Sequence, residues 1–199
     1  MIKDISVSKK NNNILLTRQE YIQLKAYARQ HGAVMGLLWI ASFACFIGSI
    51  SEPYMSLLFN FTIILIPFLA SFFVKYYRER VAGGILSFWR AYCYSLLIFF
   101  YATLLLAIAQ WAYFEFLDHG RMLGSMVTTV NAPEFAPVLE AYKISREEML
   151  EQLDILSETR PIDFVFTFMW MNIIIGLILS WFIALFTKRA TLRNNNRQL

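Results

Sequence analysis

Three amides, Asn60, Gln110 and Asn172, stand inside otherwise apolar stretches of the chain. An amide in hydrocarbon seeks a hydrogen-bonding partner, so such a trio either ties helices together or takes hold of a polar group on a lipid or small substrate. A second set is acidic. Glu147, Glu151, Asp154 and Glu158 are four, three and four residues apart, which stacks them on one helical face. Calcium or magnesium could visit that stripe, although the solvated face of any amphipathic helix has the same pattern. Just before it, Phe135, Val138, Leu139 and Tyr142 repeat at helical spacing. Together the apolar and acidic faces suit the docking of a basic, partly apolar protein surface. Glu115, Asp118 and His119 form a third group, in which acid–base chemistry could be hidden.

Other chemistries find little support. A zinc site needs several converging ligands, and the two histidines, His31 and His119, are predicted on opposite sides of a membrane. Cys45 and Cys93 are predicted at opposite depths, which argues against a disulfide. The chain has no phosphate-binding glycine loop, no His-Glu-x-x-His helix and no Gly-x-Ser-x-Gly elbow. An enzyme is therefore the weakest reading; no cofactor and no nucleic-acid partner are expected.

The elements that would carry these residues follow from composition. Hydrophobic residues make up 58% of the 199 residues and charged ones 16%, too apolar a balance for a water-soluble globule. Four stretches carry no charge: residues 32–51, 53–74, 91–114 and 164–187. Each reaches the roughly 20 helical residues that a bilayer core of about 30 Å demands, and none alternates as a membrane strand does. The expected fold is an all-α integral membrane protein with four transmembrane helices and a mostly helical periplasmic segment between the third and fourth. The polar start has no signal-peptide pattern, so no cleavage is expected.

Charge sets the expected orientation. Segments sharing the side of the two termini hold 14 of the 18 basic residues and 3 of the 14 acidic ones, net +11, against net −7 on the other side. Basic residues flanking spans stay inside, so both termini are predicted cytoplasmic and the three amides fall in the outer half of the bilayer. Membrane lipids are the immediate neighbours, and a homo-oligomer is compatible with the pattern.

Along the chain, residues 1–16 read as a flexible cytoplasmic start. Thr17 and Glu20 form a capping box opening a helix over 17–50 that becomes the first span. The second span, 54–74, carries Pro67, which removes a backbone donor. Residues 75–87 form a cytoplasmic turn around Gly83 and Gly84, and Ser87 caps a third span over 88–116 whose Arg90 is expected to snorkel to lipid phosphate. The segment 117–163 predicts two short helices. One starts at Asn131 and Pro133; the other is opened by Ser145 with Glu148, carries the apolar line Met149, Leu153 and Leu156, and ends at Thr159 to Pro161. The fourth span covers 164–187 and a basic tail 188–199. Gly32 with Gly36, and Gly176 with Ser180 and Ala184, mark faces where backbones can approach closely, within the bundle or between copies.

This layout resembles a family of bacterial membrane proteins catalogued as domain of unknown function 4199, found chiefly in Bacteroidota. The residues that carry the resemblance are Gly83, Gly84, Ser87, Phe88 and Ala91 before the third span, the helical stretch from Ser145 to Leu156, and the final span ending in Lys188 and Arg189. The resemblance implies a bacterial inner membrane and brings no catalytic residue with it.

Two classes of function are consistent with these features. One is a non-catalytic partner or assembly subunit of a membrane complex, favoured because the spans carry no ionisable groups of the kind that mark transport paths. The other is a small transporter or lipid-handling protein using the amide cluster.

Overall fold

Thr17 opens the first helix, α1 (Arg18–Gly48), by the expected capping box: its Oγ1 accepts from the Glu20 N–H at 3.3 Å, and its own N–H donates to the Glu20 carboxylate at 2.9 Å. Ser87 caps the third long helix with its Oγ. Four long helices result in the structure, a computed structural model that describes residues 17–189. They are α1, α2 (Tyr54–Arg80), α3 (Phe88–Phe116) and, last in the chain, α7 (Pro161–Thr187). All four are long and apolar enough to cross a membrane. The chain is an all-α, multi-pass membrane protein. The expectations for residues 1–16 and for the tail beyond 189 lie outside the described residues.

Between α3 and α7 the chain forms an insert. It holds three helices, one more than the spacing predicts: α4 (Arg121–Asn131), α5 (Ala136–Tyr142) and α6 (Arg146–Ser157), with a 3-10 turn at Pro133–Phe135. Asn131 therefore ends a helix instead of starting one. The additional helix is opened by Asp118, whose carboxylate accepts from the Met122 N–H at 3.1 Å, after a turn in which His119 and Gly120 take positive φ. Ser145 and Glu148 make the second capping box as expected, at 3.0 and 2.9 Å. The fourth long helix begins at Pro161 rather than 164, because proline suits the first helical position and has no N–H to satisfy there.

Small residues set the packing. A Cβ on Gly32 would come within 2.6 Å of Tyr101 Cβ, and one on Gly36 within 2.9 Å of Leu105, so α1 and α3 lie side by side and parallel. Gly176 faces Phe99, and Ser180 and Ala184 are fully buried, which seats α7 antiparallel to α3. The small-residue faces are thus used within the bundle. In lipid, where burial of apolar surface does not drive helices together, such close contact is the main source of cohesion.

The bundle is not uniformly packed. The end carrying Arg18, Arg80, Phe88 and Thr187, here the basic end, is dense: Leu24, Val74, Tyr77, Tyr94 and Ile98 are all buried there. His31 belongs to this core, with Nδ1 2.6 Å from the Tyr94 hydroxyl and its ring stacked on Phe73. Arg78, also buried, donates to the otherwise unpaired Thr187 carbonyl at the end of α7 and pairs with Glu79, which also binds Arg189. Leu86 and Arg189 exchange two backbone hydrogen bonds of 2.9 and 2.8 Å. Arg90 lies 3.5 Å from Glu20 on α1, a protein carboxylate within reach of this partly exposed guanidinium.

Candidate functional site

The other end of the bundle, beneath the insert, is hollow. Pro67 divides α2: Ala70, Phe73, Val74, Tyr77 and Arg78 are buried on one side of it, whereas residues 54–69 on the other include none. A cavity of about 360 Å³ lies where that stretch of α2 faces α1, α3 and α7. Trp39, Ser42, Phe43 and Phe46 line it from α1, Phe59, Ile63 and Ile66 from α2, and Leu106 and Gln110 from α3. Phe168, Asn172, Ile175 and Leu179 complete it from α7, and Met122 of α4 forms a roof. No Lys, Arg, His, Asp or Glu is among these residues.

Two of the three predicted amides line this cavity. Gln110 is only 5% exposed, and its carbonyl oxygen has no hydrogen-bond partner among the described residues. Asn172 is half-buried across the cavity. Asn60 does not join them: it points out of the bundle and returns its amide to the Ser56 carbonyl at 2.8 Å, the local satisfaction that short polar side chains find on their own helix. In its place stand two residues that the sequence did not single out. Trp39 is 6% exposed and its indole N–H also lacks a partner among the described residues, and Ser42 accepts from Thr62 at 2.9 Å. Six buried side-chain atoms lack a partner among the described residues, and this donor and this acceptor are the two of them whose residues line the cavity.

A second cavity of about 340 Å³ lies above the first, between the end of α1 and the insert, lined by Ile50, Ser125, Thr129, Phe135, Met149 and Leu153 among others. Phe46 and Met122 line both. Arg121, at the start of α4, donates to the Ser51 hydroxyl and so ties the roof to the α1–α2 turn.

The remaining predicted residues are dispersed. Phe135 belongs to the 3-10 turn before α5, which breaks the assumed helical register: Phe135 turns into the second cavity and Leu139 is buried, while Val138 and Tyr142 are exposed. They do not make one apolar face. Glu147, Glu151 and Asp154 on α6 and Glu158 at its C-cap are all exposed. Asp118 is buried in its capping role, His119 turns its Nδ1 to the Leu117 carbonyl at 3.1 Å, and Glu115 is exposed, so these three do not converge. Among the described residues no three His, Cys, Asp or Glu side chains gather to hold a metal ion. Cys45 and Cys93 are free thiols.

A family model described as protein of unknown function (DUF4199) matches residues 30–189, a span that takes in α1 from residue 30 onward, the other three long helices and the insert. No curated protein and no solved structure matches the chain.

Proposed function

We propose, starting from the premise that this chain belongs to the DUF4199 family of proteins of unknown function, that it binds a small amphipathic molecule of the membrane in the cavity beneath the insert, without turning it over. The observation that carries the reading is the Gln110 carbonyl, buried and unpartnered in the wall of an otherwise apolar cavity. An oxygen left so costs the bundle free energy unless a ligand supplies the missing donor. Apolar walls with a few convergent polar groups are the usual composition of small-molecule sites, whose volumes start at about 300 Å³. The charge distribution supports an orientation with the basic end in the cytoplasm, which sets the cavity in the leaflet away from it. To test this, the full chain is purified in mild detergent and its retained lipids are compared with bulk membrane lipid. One species should be enriched, and Ile63→Trp, which fills the cavity from its edge, should remove it. Equal lipid profiles for both proteins would overturn the reading.

A second reading, docking of a membrane or extracytoplasmic protein on the insert, is favoured by the exposed carboxylates of Glu147, Glu151, Asp154 and Glu158 on α6 and its C-cap, which make no ion pair among the described residues, together with the exposed Tyr142 and Ile155. Replacing the four acids with Lys should then release a co-purifying partner. Unchanged co-purification would remove this reading while leaving the cavity untouched.

A further inference from the structure

The polar groups of the cavity define which head it accepts. We infer that the site selects a single-chain amphipath whose head is uncharged and carries both a donor and an acceptor, a glycerol-type diol or a neutral amide, with Trp39 and Gln110 as the residues that read it; this rests on the binding reading above.

Trp39 offers a donor only, and the free atom of Gln110 is an acceptor only. Both side chains are more than nine-tenths buried and line the same cavity, one from α1 and one from α3. A diol or an amide matches both groups in kind: an oxygen to accept from the indole N–H, and an O–H or N–H to donate to the Gln110 carbonyl. Asn172 and Ser42 offer further polar contacts in the same chamber.

Charge excludes the alternatives. With no basic residue in the lining, a carboxylate or phosphate would enter unpaired, and an isolated ion away from water is penalised far more than a neutral polar group. Size limits the tail. About 360 Å³ is at the small end for ligand sites, enough for a head and the first part of one chain. The rest of that chain would run along residues 54–69 of α2, none of which is fully buried.

The test uses the purified full chain in detergent and three probes with the same chain: 1-monooleoylglycerol, oleate at a pH where it is ionised, and methyl oleate, which lacks a donor. Binding is read by native mass spectrometry. The monoglyceride should bind about tenfold more tightly than either competitor, and Gln110→Leu should bring the three affinities close together. Trp39→Phe should do the same; if it does not fold, Gln110→Leu alone decides. Oleate binding as tightly as the monoglyceride, or a preference unchanged in Gln110→Leu, would overturn the inference about the head. Failure of the broader reading looks different: all three probes would then bind with no response to Ile63→Trp, or none would bind at all.

Discussion

Replacing Gln110 by Leu separates a binding group from a structural one, because the two roles predict opposite signs. In the bundle Gln110 is buried and its carbonyl has no partner among the described residues. Leaving such an acceptor unpaired costs about 1–3 kcal/mol, and Leu, of similar size, abolishes the penalty and keeps the packing. Interhelical hydrogen bonds in membranes average about 0.6 kcal/mol, which places the effect near the low end of that range. The expected outcome without ligand is a gain of about 1 kcal/mol, or roughly 2–4 °C in Tm for a chain of this length. With ligand the order should close up. At 100 times Kd a ligand adds about 2.7 kcal/mol, and a tenfold weaker affinity at the same concentration leaves about 1.4 kcal/mol. Thermal unfolding in detergent, with and without 1-monooleoylglycerol, measures both arms. A ligand-free variant less stable than wild type by 1 kcal/mol or more would identify Gln110 as helix-to-helix glue and refute the reasoning. Equal stabilisation of both proteins by the monoglyceride would refute its ligand arm.

Three further outcomes are expected. Gly32→Ala should destabilise the bundle by about 1–3 kcal/mol in detergent unfolding, since the added Cβ would meet Tyr101 Cβ at 2.6 Å and only separation of α1 from α3 relieves it; Gly176→Ala, at 3.0 Å from Phe99 Cβ, should be milder. Arg78→Met should lose about 2 kcal/mol, because it strands the Thr187 carbonyl and removes the pair with Glu79, and an unchanged Tm would show that this cap is dispensable. In a background lacking Cys45 and Cys93, a membrane-impermeant thiol reagent applied to cells with a permeabilised outer membrane should label a cysteine at Ser157 but not at Ser8 or Asn195; the reverse pattern would invert the proposed topology.

The four long helices were legible in the sequence because a membrane imposes a length and an absence of charge, and four stretches met both. Capping boxes were legible too, since Thr17 with Glu20 and Ser145 with Glu148 are local devices that need no tertiary partner. The helix over residues 121–131 was not. Its N-cap position is Gly120, which has no side chain to cap with, the Asp118 carboxylate reaches Met122 from two residues earlier across a positive-φ turn, and the helix contains Gly124 and the β-branched Val127, Thr128 and Thr129, which weaken any helical propensity. The spacing of Met122, Met126 and Val130 was the available signal.

At the site, Gln110 and Asn172 stood out because amides are conspicuous among apolar residues. Asn60 was equally conspicuous and faces elsewhere: a residue is about 100° round the helix from its neighbour, so with Phe59 and Ile63 in the cavity wall Asn60 turns away. Trp39 was invisible as a polar group, because an aromatic ring in a span reads first as packing. Its unpaired N–H emerges only when the helices are assembled. That pairing moves the weight from partner docking, the reading the sequence favoured, to ligand binding.

Photo-crosslinking tests the central claim most directly. A monoglyceride bearing a diazirine on its acyl chain is incorporated with the full-length protein in lipid vesicles, activated by light, and the adducts are mapped by peptide mass spectrometry. Adducts should concentrate on cavity residues such as Phe46, Phe59, Met122 and Phe168, and excess 1-monooleoylglycerol should suppress them. Adducts spread over outward-facing side chains such as Leu57, Phe61 and Phe186, with no competition by the unlabelled monoglyceride, would contradict the account.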